Sequence, residues 1–262
     1  MDTVYVRYIN LDRRTDRNED VLKKLISILG FNESNIKRFS AIDGNNLIQD
    51  LMVKNYIRDE LIEIIRKKQI NVKAPELACL LSHYFLLKEI VEDKTIPDES
   101  IIFLFEDDFF INEQYLMSIK ISDIIEEIKN SEFDKESTWD MIYMGGRFTP
   151  NFIPKNKTYF TNIFNNLYKR IDGQGMDWDR TTHNYLVKKS NIKNILKCYL
   201  EYFKNKKNQK NQTFQVDSFY NSQSKNLEMF DFFPHIFYSP WNYSTDIQYS
   251  KLMINTKDIC ME

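Results

Sequence analysis

Residues 101–111 read IIFLFEDDFFI: five apolar residues, then Glu106, Asp107 and Asp108, then three more apolar residues. Carboxylates bunched in this way repel one another, and burial between apolar runs would raise their pKa values. A hard divalent cation relieves both problems. Mg²⁺ or Mn²⁺ takes one or two carboxylates and completes its shell with water and phosphate oxygens, so the stretch could hold a metal and, through it, a pyrophosphate. An acidic loop at the start of a helix is the other reading, because the helix dipole favours Asp and Glu there with no metal at all.

Which reading applies depends on the elements that carry the acids. Ile101 to Phe105 is apolar without alternation, the pattern of a strand covered on both faces. Open α/β sheets bind ligands beyond the C-terminal ends of their strands, and the three acids would stand at such an end. The rest of the chain supplies the partners for that strand. Thr3 to Leu11 alternates as a strand, and a helix with capping-box spacing at Asp16 and Glu19 follows, stopping at Gly30. Residues 36–44 (IKRFSAIDG) predict a short strand and a turn, and Leu47 to Lys68 one charged helix. A broadly apolar helix starts near Pro75. Ile111 to Ile128 predicts an amphipathic helix, and Asp140 to Met144 a buried strand closed by Gly145-Gly146. Thr149 to Trp178 shows no period and reads as an excursion. A strand at HNYLV and a helix at NIKNILKCYL come next, then a basic, low-complexity loop at Lys204 to Gln212, a short helix or turn at VDSFYNSQ and a late strand region limited by Pro234 and Pro240. Alternating strands and helices predict an α/β fold with a mainly parallel sheet flanked by helices on both faces. The expectation is a single unit over 1–262.

The bulk composition narrows the function classes. The chain has 262 residues, 42% of them hydrophobic, ample for a buried core. A net charge of −2 gives no global field for nucleic acid or an anionic membrane. Six Gly, with no G-x-x-x-x-G-K-[ST] and no G-x-G-x-x-G, speak against a glycine-rich phosphate loop. Three scattered cysteines (Cys79, Cys198 and Cys260) fit free thiols in a reducing compartment. No signal peptide and no apolar run of membrane-spanning length is seen, so a cytoplasmic location is expected.

Five stretches in this order resemble the family 25 glycosyltransferases: YINLDRRTDR (Tyr8 to Arg17), FSAIDG (Phe39 to Gly44), ELACLLSHYFLLKEIV (Glu76 to Val91), IIFLFEDDFFI and WDMIYMGG (Trp139 to Gly146). HNYLVKKSNIKNIL and VDSFY match more weakly. The strong part covers roughly residues 3 to 147. The resemblance implies a GT-A fold, a UDP-sugar donor, an inverting transfer and a divalent metal, Mn²⁺ or Mg²⁺, at a D-x-D-like element. Here that element is Glu106-Asp107-Asp108, with Glu in first place. It implies residues 1–147 as the nucleotide-sugar half and 148–262 as the acceptor side.

On this reading Asp108 is the first choice for the metal. Glu106 is a metal ligand or a contact to ribose or sugar, and Asp107 lies beside them. Asn10, Leu11 and Arg13, at the end of the first strand, could meet a uracil or ribose. Arg14 and Arg17 could meet the pyrophosphate, since guanidinium pairs well with phosphate oxygens. Asp43 could bond a ribose or base, or simply make an Asp-Gly turn. Ser82 and His83 could face the donor from their helix. Either His183 or His235 could complete the metal shell. An inverting transfer needs a base for the acceptor hydroxyl, and Asp217 is the candidate, a helix N-cap being its plain alternative. Trp178, Trp241 and Tyr243 could stack on a sugar, and Asp246 matches a late family acid. The resulting expectation is a hexosyltransferase, galactose or glucose favoured, acting on a glycan or a hydroxylated protein side chain. A metal-dependent nucleotidyl or phosphoryl transferase and a degenerate fold serving as a binding module are the alternatives.

Overall fold

A computed structural model describes residues 4–116, 120–130, 139–146, 160–164, 167–170, 183–205, 214–232, 235–239 and 252–259. The calls on Trp178, Trp241, Tyr243 and Asp246 lie outside these residues. Period-two alternation decides which side of the sheet each strand residue serves. In β1 (Val4–Asn10), Val4, Val6 and Tyr8 enter one core and Ile9 the other. Helix α1 (Thr15–Lys23) runs on as a π turn over Lys24–Ile28 and ends at Gly30, whose φ of 70° is the left-handed conformation of a helix stop. The anticipated capping box does not form. Arg14 is the N-cap residue, and Asp16 is bound to the Arg14 guanidinium through both oxygens.

After β2 (Ile36–Ser40), the stretch expected as one helix is two, α2 (Leu47–Val53) and α3 (Glu60–Lys68). Asn55, at φ 58°, breaks the first, and the Asp59 carboxylate starts the second by accepting the Leu61 N–H at 2.8 Å. Strand β3 (Asn71–Lys73) leads into α4 (Ala74–Glu92), which has Pro75 in its first turn and is buried on nearly every side. Its Leu77, Leu80, Leu81, Leu86 and Leu87 are all solvent-free, and each contributes about 2 kcal/mol relative to exposure. Strand β4 (Ile101–Glu106) splits its apolar residues between the two cores, Ile102 and Leu104 against Ile101, Phe103 and Phe105.

The helix anticipated from Ile111 begins with β5 (Phe110–Ile111) and a single turn, α5 (Glu113–Leu116), before α6 (Ile121–Asn130). After β6 (Met141–Tyr143), the glycine pair that should only close the strand forms β7 (Gly145–Gly146) of a small second sheet. The aperiodic region contains the antiparallel pair β8 (Phe160–Phe164) and β9 (Leu167–Arg170). The remaining elements are β10 (Asn184–Lys188), α7 (Ile192–Asn205), α8 (Val216–Ser222), β11 (Met229–Phe232), β12 (Phe237–Tyr238) and β13 (Met253–Asn255).

The large sheet has the order β2-β1-β4-β10-β6-β11-β9-β8. Strands β2, β1, β4, β6 and β11 run the same way, and β10 is inserted antiparallel between β4 and β6. The architecture is therefore α/β with a mainly parallel sheet flanked by helices. One core joins α2, α3, α4, α7 and α8 to the sheet, the other α1 and α6. Among the described residues, no helix is long and apolar enough to cross a membrane.

Candidate functional site

The site forms where β1 and β4 end side by side. Their parallel register pairs Ile9 with Glu106, so Asn10 and the three acids emerge at one edge. Antiparallel β10 brings a third contribution to the same place. Asn184 pairs with Phe105, and the His183 carbonyl accepts the Glu106 N–H at 2.8 Å. Helix α4 crosses above and presents His83.

The three consecutive acids have separate environments. Asp107 turns toward β1: Oδ2 accepts from Asn10 Nδ2 at 2.7 Å and Oδ1 from Arg17 Nη1 at 2.8 Å. Burial pushes its pKa up, against the pull of Arg17 and Asn10. The network continues outward. Asn10 accepts from Arg38 Nε at 2.9 Å, and Arg38 is also bound to the Asn10 carbonyl and to Asp12.

Glu106 lies between two histidines. His83 Nε2 is 3.0 Å from Glu106 Oε1, and His83 Nδ1 is 2.8 Å from the Tyr185 hydroxyl. With Glu106 ionised, Nε2 carries the hydrogen and Nδ1 accepts from Tyr185. Beyond Tyr185, the Tyr220 hydroxyl is 3.5 Å away, and Tyr199 donates to Tyr220 at 3.2 Å. A buried polar chain thus runs from Glu106 to α8. On the other side, His183 Nδ1 is 3.7 Å from Glu106 Oε2 and 2.7 Å from Asp108 Oδ1. The close approach of His183 and Asp108 is not aligned as a hydrogen bond, and among the described residues neither buried facing atom has a hydrogen-bond partner. Burial favours neutral His183, but Asp108 and then Glu106 outweigh it and raise its pKa to about 9.

One ligand atom each from Glu106, Asp108 and His183 lies within 4.8 Å of the other two. Two carboxylates and an imidazole, with two facing atoms short of partners, suit a divalent cation of the Mn²⁺ or Mg²⁺ kind. The residue set fits such an ion. His235, the other histidine weighed as a ligand, is in neither metal-competent group of the described residues. Burial, opposed by Asp231, lowers its pKa to about 4 and keeps it neutral.

A cleft of about 90 Å³ opens beside these groups. Asn10, Leu11, Arg13, Arg17, Asp43, Ser82, His83, Glu106, Asp107 and Asp108 all line it. Within it, Arg13 Nε pairs with Asp43 Oδ2 at 3.0 Å, while Asp43 Oδ1 accepts the Asn45 N–H. Ser82 Oγ donates to the Ala78 carbonyl and accepts the Ile42 N–H, tying the loop after β2 to α4. Gly44 sits so near α4 that a Cβ there would be 2.4 Å from Pro75 Cα. Arg14 is not part of the lining. Neither is Asp217, in the first turn of α8, although its charge raises the pKa of Cys79 and of His183 behind larger effects of burial and nearer acids.

Several contributors are absent from the sequence reading: Cys79 in the cleft wall, Tyr185 and Tyr220 behind His83, and Arg38 behind Asn10. Cys79 had a legible signal, its four-residue spacing from His83. The tyrosines had none, because their contact with α4 depends on the packing of β10 and α8.

The profile of the family described as "Glycosyltransferase family 25 (LPS biosynthesis protein)" matches residues 1–220. A search of curated proteins finds no match. Solved structures that resemble the chain include that of mouse xyloside xylosyltransferase 1 in its apo form, at 11% identity and a TM-score of 0.40, covering 85% of this chain and 81% of that one.

Proposed function

Since the chain belongs to glycosyltransferase family 25, we propose that it moves a hexose, galactose or glucose favoured, from a UDP-sugar to a glycan or a hydroxylated protein side chain, with inversion and with Mn²⁺ or Mg²⁺ bound. The observation that carries the metal reading is the meeting of Glu106, Asp108 and His183, with Asp108 Oδ1 and His183 Nδ1 buried and, among the described residues, without hydrogen-bond partners. When bound, the cation supplies positive charge that stabilises the leaving diphosphate. Glu106, Asp108 and His183 would hold it.

The other roles belong to the chain itself. Arg13 and Arg17 give the cleft its cationic wall toward a phosphate. Leu11, Asp43 and the loop held by Ser82 shape the part that would receive the base and ribose. Asn10 and Asp107 act on the ligand side of Arg17 and hold it in position. His83 fixes the orientation of Glu106. Asp217 takes the proton of the acceptor hydroxyl. The match of VDSFY to the family, with Asp217 in the first turn of α8, supports that assignment. Residues 1–147 act as the nucleotide-sugar half, in keeping with a cleft whose described lining residues all lie between Ile9 and Asp108.

A donor screen with Mn²⁺ and EDTA arms, reading UDP release and sugar transfer, tests this. Transfer from one UDP-hexose that stops with EDTA and in Asp108→Ala is the expected result. Full activity in Asp108→Ala, or release of nucleotide with no sugar transferred, would overturn it. An Asp217→Asn variant that binds donor yet transfers at the wild-type rate would remove the base assignment.

A further inference from the structure

Cys79 and His83 are four residues apart on α4 and so project from one face of the helix. Both line the cleft. Glu106 meets them from the end of β4, and Cys79 Sγ, a His83 ring nitrogen and a Glu106 carboxylate oxygen all lie within 4.8 Å of one another. This set differs in chemistry from Glu106, Asp108 and His183. Thiolate and imidazole are the ligands of Zn²⁺ and its thiophilic relatives, whereas a carboxylate-rich set suits Mn²⁺ and Mg²⁺. Glu106 is common to both, with Oε1 toward His83 and Oε2 toward His183.

We propose that Cys79, His83 and Glu106 form a second metal site that takes a thiophilic divalent cation, Zn²⁺ above all, and that its occupation draws Glu106 away from the first site and inhibits transfer. The inhibitory half rests on the proposed function; the binding half does not. Three protein ligands are enough, with a fourth position left for water. On binding, the Cys79 thiol releases its proton to solvent. His83 offers the Nε2 lone pair to the cation, and its hydrogen moves to Nδ1. The Tyr185 hydroxyl, 2.8 Å from Nδ1, then accepts where it had donated. A metal-bound imidazole commonly has such a partner on its other nitrogen. Cys79 and His83 lie one turn apart on a packed helix, so the backbone already sets both on one face.

Co²⁺ titration of the full chain is the test, since thiolate-to-cobalt charge transfer gives a near-ultraviolet band that oxygen and nitrogen ligands do not. Wild type and Asp108→Asn should show the band, Cys79→Ser and Cys79→Ala should not, and Zn²⁺ should abolish it. In Mn²⁺-supported assays Zn²⁺ should inhibit wild type at a concentration about ten-fold lower than Cys79→Ser. Absence of the band in wild type, its survival in both Cys79 variants, or its loss in Asp108→Asn would overturn the site. A Cys79-dependent band without Zn²⁺ inhibition of an active enzyme would overturn the competition. Should either Cys79 variant lose its folded circular dichroism, protection of the Cys79 peptide from alkylation by Zn²⁺ in wild type replaces it, and equal labelling with and without Zn²⁺ counts against the site.

Discussion

Two charge pairs at the same sheet edge make the sharpest comparison in the molecule. Arg17 and Asp107 are 2.8 Å apart with side chains 8% and 11% exposed; His183 and Asp108 are 2.7 Å apart at 11% and 6%. Distance and burial are alike, yet Asp107 has both oxygens in aligned hydrogen bonds, whereas among the described residues Asp108 Oδ1 and His183 Nδ1 have only their contact with each other. A buried polar atom without a partner is costly, and a catalytic role or a bound water or ion is what accounts for many such atoms in native proteins. On the proposed function, adjacent acids in one motif divide the work: Asp107 braces the edge, and Asp108 would hold the cation.

The largest expected effect comes from the open pair. Asp108→Ala should lower turnover about 10³-fold, the scale of losing electrostatic stabilisation of a leaving group, as read by sugar transfer at saturating donor. The braced pair should fail differently. Asp107→Asn removes the nearer carboxylate acting on buried Arg17 and should cost about 3 kcal/mol of stability, read by urea unfolding. Gly44→Ala comes next. The backbone of α4 leaves no room for the methyl group, so a loss of about 2 kcal/mol is expected, with a higher KM for donor as the cleft wall shifts. Tyr185→Phe should be the mildest for stability, about 1 kcal/mol. Yet it releases His83, so Mn²⁺ affinity measured by titration calorimetry should fall about ten-fold. A Tyr185→Phe enzyme with wild-type affinity would separate His83 from the site.

Much of this edge was legible from residue types. The apolar run before Glu106 announced a strand covered on both faces, and α4 was plain from its leucines and Pro75. Ten of the residues singled out line one cleft. What stayed hidden depends on pairing across the sheet. The choice between His183 and His235 could not be made from a sequence that does not show how HNYLV pairs; the antiparallel register against β4 is what brings His183 beside Glu106. Asn55 broke a helix that the charge pattern made continuous, since Asn adopts left-handed backbone at little cost. The pair β8 and β9 has no alternation to betray it. The division among the three acids was equally invisible, because it is set by Asn10 and Arg17 on one side and by His183 on the other.

The division of labour between Asp107 and Asp108 is tested most directly by the rise in melting temperature that Mn²⁺ gives in wild type, Asp107→Asn and Asp108→Asn. A cation that binds only the folded chain raises its melting temperature. The rise should persist in Asp107→Asn, from a lower starting point, and vanish in Asp108→Asn. A rise that survives in Asp108→Asn and disappears in Asp107→Asn would reverse the two roles and contradict the account.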